Sequence, residues 1–144
     1  FHRQLGLYQT MYELSGQQQS ILRSTGTGKA EQVRQVLSAR QELIKEISDL
    51  NQANIQLRRQ VKQHLGIDEF VFSQLETRID PSQFQQLRQV IAGIERILKA
   101  IMITDNWNEA AMRKDAASRQ QLASRGTQNQ AAQAYNEHKN YKKE

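Results

Sequence analysis

The chain has 144 residues, is 38% hydrophobic and 24% charged, and carries a formal net charge of +5. It has no cysteine, one proline and seven glycines. That excludes a disulfide scaffold and any Cys-ligated zinc or iron–sulfur centre, and favours long helices over a turn-rich β sandwich or barrel.

The first segment, about residues 3–24, places Leu7, Met11, Leu14 and Ile21 on one stripe, with Gln18 filling the fifth seam position. The alternating spacing of four and three is that of an amphipathic helix. Tyr8 and Tyr12 flank the stripe, and Gly6 and Gly16 each weaken the helix by about 1 kcal/mol relative to Ala. Ser24-Thr25-Gly26-Thr27-Gly28 then forms a turn. Continued through Lys29 it has the look of a phosphate-binding loop, but Arg23 stands where the first Gly belongs, Ala30 replaces the Mg-binding hydroxyl, and no strand precedes it. Thr27 or Gly28 as a helix cap is the simpler reading.

The second segment is the longest regular one. Val33, Val36, Arg40, Leu43, Ile47, Leu50, Asn54, Leu57, Val61 and His64 follow an unbroken spacing of three and four. It predicts one helix over 30–65, about 54 Å long at 1.5 Å per residue, ended by Gly66. Residues 67–79 are too apolar for a free loop and read as a short helical connector. Asp80-Pro81-Ser82-Gln83 opens the third long helix, with Asp as cap and Pro in the first turn. Its seam runs through Phe84, Leu87, Ile91, Ile94, Leu98, Ile101, Asp105, Asn108 and Met112, then decays to about residue 125. Beyond Gly126 the composition turns to Gln, Asn, Ala and Lys, which cannot bury enough apolar surface to order itself alone.

The fold expected is all-α: an antiparallel bundle of three long helices with coiled-coil-like packing over 1–126, and a flexible tail over 127–144. Four seam positions are polar. An antiparallel pivot near residue 73 sets Arg40 of the second helix level with Asp105 and Asn108 of the third. These three residues are expected to form a polar layer that fixes register, as buried polar residues do in coiled coils.

Catalytic chemistry finds no motif. His2, His64 and His138 are dispersed, and neither a zinc-protease helix nor a nucleophile elbow is present. No cofactor is implied, and Trp107 reads as a packing residue. The positive charge is spread along the chain, with one cluster at Lys139, Lys142 and Lys143. Nucleic-acid binders pair clustered cations with exposed aromatics, a pattern missing here. No apolar run approaches the roughly 18 residues of a membrane span, and no signal-peptide core is visible. The chain begins at Phe1 and not Met, so a short preceding piece is expected, and a bacterial cytoplasmic location is the expectation.

The order of features resembles a particular family. A long heptad helix ends in Leu65-Gly66, and the connector Ile67-Asp68-Glu69-Phe70-Val71-Phe72-Ser73-Gln74-Leu75 follows. A second long helix carries Thr104-Asp105-Asn106-Trp107-Asn108-Glu109 and leads to a weakly apolar tail with Ala134-Tyr135. This is similar to the FlgN family of flagellar export chaperones, to which the shorter FliT chaperones are related. The resemblance covers the whole chain, most clearly residues 29–112. It implies a cytoplasmic binding protein that holds the C-terminal helical segments of hook–filament junction proteins, prevents their early assembly and delivers them to the type III export gate. The client stripe would be Met112, Ala116, Leu122, Ala131 and Ala134. Tyr135 matches the tyrosine that docks on the gate protein, and Tyr141 is a second candidate. The chain departs from that family in being basic, with a pI near 9.7. A monomer or weak homodimer is expected. Two other readings are a self-associating structural bundle and a basic nucleic-acid adaptor.

Overall fold

The computed structural model describes the backbone of residues 1–141 and the side chains of residues 1–130. Four helices follow in order: α1 (His2–Arg23), α2 (Lys29–Leu65), α3 (Phe72–Leu75) and α4 (Pro81–Tyr141). No strand occurs among the described residues. The contacts divide the chain into two compact units, Phe1–Asn108 and Glu109–Glu144.

Local chemistry sets the helix ends. Gly28 takes φ 79° just before α2, and its carbonyl accepts from the Gln32 amide at 3.1 Å. Gly66 takes φ 63° after α2, where a side chain would be strained. The Ile67 amide then donates back to the Lys62 carbonyl at 3.1 Å, satisfying one orphan acceptor of the last turn. Asp80 caps α4: its Oδ1 accepts from the amides of Ser82 and Gln83 at 2.8 and 3.3 Å.

α4 does not end near residue 125 but continues as helix through Gly126 to Tyr141. The tail is rich in Ala, Gln and Lys, which are strong helix formers, and a single glycine costs only about 1 kcal/mol. The compact-unit boundary also falls earlier than composition suggests, after Asn108 and not after Gly126.

Within the first unit, contacts fix the helix directions. Arg3 reaches Glu46, Gln4 reaches Asn51 and Asn54, and Arg40 reaches Gln18, so α1 and α2 run antiparallel. Leu5 packs beside Gly93 and Ser15 bonds Asp105, so α1 and α4 run the same way. Two apolar clusters form. One joins buried Met11, Leu43 and Ile47 with Leu7, Leu14 and Ile101 at its margin. The other joins Ile67, Leu75 and Phe84 with Leu65, Phe70 and Leu87.

The connector is a structured cap on the second cluster. Val71 precedes α3 in extended conformation, and its carbonyl accepts from the amides of Gln74 and Leu75. Gln74 Oε1 accepts from the amides of Asp68 and Glu69, both at 3.1 Å, so the turn's backbone donors are satisfied. The Phe72 ring meets Phe84 edge to face at 5.9 Å.

Candidate functional site

The deepest polar group of the first unit lies between α1, α2 and α4. Arg40 donates to both carboxylate oxygens of Asp105, at 2.8 and 2.5 Å, and to Gln18 Oε1 at 2.8 Å. The planar guanidinium matches the carboxylate as a two-pronged pair. The Ser15 hydroxyl donates to Asp105 Oδ1 at 2.9 Å. Asn108 Nδ2 donates to the Ser15 carbonyl at 3.0 Å.

Burial is graded across this layer. Ser15, Gln18 and Asn108 are buried, the Arg40 side chain is 14% exposed and that of Asp105 34%. Asn108 Oδ1 is buried with no hydrogen-bond partner.

The structure therefore brings Arg40 and Asp105 into direct contact. Asn108 joins the same layer through Ser15, with its amide donor directed at that residue's carbonyl. Ser15 and Gln18 are the members that sequence reading underrated. Gln18 stood on the expected stripe as a polar filler, but Ser15 lies one position off it. α1 buries Met11, Ser15, Gln18 and Leu22, a set that drifts from the expected stripe and leaves Leu14 and Ile21 half-buried.

A second, smaller polar cluster follows the same logic. Asn54 is buried and donates to Gln4 Oε1 at 3.1 Å, while Gln4 Nε2 donates to Asn51 Oδ1 at 2.8 Å. Trp107 is partly exposed, with the Arg23 guanidinium 4.8 Å from its ring centre. That is a cation–π contact that ties the end of α1 to α4. His64 is exposed.

The expected client stripe lies in the second unit. Met112 is half-buried, Ala116 is exposed and Leu122 is 67% exposed. Every side chain from Ala116 to Gln130 is exposed. Ala131, Ala134, Tyr135 and Tyr141 fall outside the residues whose side chains the structure describes. Among the described residues no group of three or more His, Cys, Asp or Glu could hold a metal ion, and no helix is long and apolar enough to cross a membrane.

No protein-family model matches the chain, and no curated protein or solved structure matches it significantly.

Proposed function

We propose that the chain is a helical binding protein of the flagellar export-chaperone kind, acting without catalysis in the cytoplasm. In this reading its first unit is an antiparallel bundle with coiled-coil-like packing, and its second unit is the partner-binding element. The observation that carries the proposal is the exposure of every α4 side chain from Ala116 to Gln130. Helices in proteins draw most of their stability from packing an apolar face. A helical stretch with no such packing, bearing an uncovered Leu122, is suited to take its packing from a partner. The partner proposed is the amphipathic C-terminal helix of a hook–filament junction protein, recognised through anchors at helical spacing. Ordering of client and stripe on binding offsets part of the interaction energy. Tyr135, with Tyr141 as second candidate, then docks on the export gate protein.

The test is calorimetric titration of the full chain with C-terminal segments of junction proteins. The proposal expects a saturable 1:1 complex, weakened by Leu122→Asp and abolished by removal of residues 113–144. Tyr135→Ala should leave client binding intact and impair delivery to the gate. Absence of binding, together with a stable homo-oligomer at low micromolar concentration, would establish a structural self-associating bundle instead. Binding to DNA or RNA with a steep salt dependence would establish a nucleic-acid adaptor.

A further inference from the structure

A cavity of about 180 Å³ opens between the C-terminal half of α2, the connector and the start of α4. Its walls are Leu57, Val61, Phe70, Leu75, Ile79 and Leu87, with Phe1 at one side. Protein interiors rarely leave voids larger than a water molecule. An apolar cavity of about 150 Å³ stays dry and takes up a benzene-sized group. The space here is therefore unfavourable to water and matched to one apolar side chain.

Two polar residues reach this wall, Asn54 and Arg58, and both are engaged within the chain. The Asn54 amide donates to Gln4, and Arg58 Nε donates to the Asn54 carbonyl at 3.3 Å. Metabolite sites are larger, roughly 300–1,000 Å³, and present convergent polar groups that orient the ligand. This cavity has neither property. Its rim is apolar and uncovered: Leu57 is 53% exposed, and Val71 and Phe72 beside it on the connector are exposed as well. An anchor pocket ringed by apolar contacts that exclude water is the arrangement of an interface hot spot. The α2 wall is also uniformly cationic. Between Leu50 and Ile67 it carries Arg58, Arg59 and Lys62 and no Asp or Glu.

From this we propose that the cavity is a docking socket for a single apolar side chain, of phenylalanine or leucine size, borne on an acidic peptide segment of a protein partner. The socket lies wholly in the first unit and is independent of the α4 stripe assigned to the client. It stands whether or not the flagellar reading does.

The experiment is an NMR titration of the ¹⁵N-labelled full chain to millimolar peptide. The probes are a short acidic peptide with one phenylalanine, the same peptide with alanine in its place, and benzene. The phenylalanine peptide should produce saturable shifts at Leu57, Val61 and Leu87, and the alanine peptide should bind about tenfold more weakly or not at all, about 1.4 kcal/mol per tenfold. Val61→Phe, which fills the socket with the chain's own side chain, should abolish the shifts while leaving the unfolding midpoint unchanged or raised. Leu87→Phe serves the same purpose should Val61→Phe disturb folding. Arg58→Gln with Lys62→Gln should weaken binding and its salt dependence. Equal binding by the filled variants, or equal binding of the two peptides, would overturn the proposal. Saturation by benzene with no response to either peptide would overturn it in favour of a site for free apolar molecules. Shifts confined to residues beyond Asn108 would assign the peptide to the client stripe and overturn the socket.

Discussion

Removing Asp105 should cost more than removing Arg40, although the two form one ion pair. In Asp105→Ala, Arg40 loses two of its three hydrogen bonds and keeps only Gln18. Its guanidinium stays charged at 14% exposure, and Ser15 loses its acceptor as well. Stranding one partner of a fully buried pair costs 3–5 kcal/mol, and the partial opening at Asp105 places this variant near the lower end, about 3 kcal/mol. In Arg40→Ala, Asp105 is 34% exposed and keeps the Ser15 hydroxyl as donor, so water replaces much of what is lost. The expected cost there is about 2 kcal/mol. The paired replacement Arg40→Met with Asp105→Leu leaves no stranded charge, and should return stability to about the wild-type value or above. Urea unfolding followed by circular dichroism measures all of these, and a matched cycle on Arg40→Ala and Asp105→Ala should show a coupling of about 2 kcal/mol. An Asp105→Ala cost below about 1 kcal/mol, or single effects that simply add, would refute the view that this layer is a cooperative buried network.

Other variants probe the rest of the architecture. Asn108→Leu removes the unpartnered Oδ1 along with one hydrogen bond to Ser15, so it should be nearly neutral in urea unfolding, within about 1 kcal/mol, whereas most buried substitutions destabilise. Leu75→Ala, at the centre of the connector cluster and 1% exposed, should cost about 4 kcal/mol in the same assay. Gly66→Ala forces a side chain into φ 63° after α2 and should cost about 1 kcal/mol, read as a fall in the thermal midpoint.

Much of this fold was legible in heptad spacing, because helix periodicity and caps are local properties. Gly66, Asp80 and Pro81 mark boundaries through chemistry that acts within a few residues. The antiparallel pivot near residue 73 was enough to set Arg40 beside Asp105, since register in a helical pair follows from loop position. What escaped was set by drift and by the third helix. A repeat of 3.5 slides round an ideal helix of 3.6 residues per turn. Burial on α1 accordingly shifts to Ser15 and Leu22, and Leu57 on α2 leaves the buried set for the cavity rim. Ser15 is small and polar, and its role depends on Asp105 ninety residues away, so no local pattern could announce it. The extent of α4 escaped for a different reason. Polar composition speaks against a packed core, but it does not speak against a helix of Ala and Gln.

The polar layer also explains how a chain with so thin a core holds one arrangement. On one side of it lie Met11, Leu43 and Ile47, and on the other the buried Leu22, Val33 and Val36. These aliphatic groups pack almost equally well after a slip of one heptad, because apolar contact carries little directional information. A slip of α4 by seven residues would carry Asp105 away from Arg40 and bring an apolar or mismatched position in its place, leaving a guanidinium buried without its carboxylate. Ser15 and Asn108 extend that constraint to α1, so all three long helices share one permitted register. The layer therefore contributes less to the depth of the native state than to its separation from slipped alternatives. In the paired Arg40→Met and Asp105→Leu chain, stability and uniqueness should part: an unfolding midpoint at or above wild type, with broadened amide resonances or mixed oligomers where the wild-type register is single.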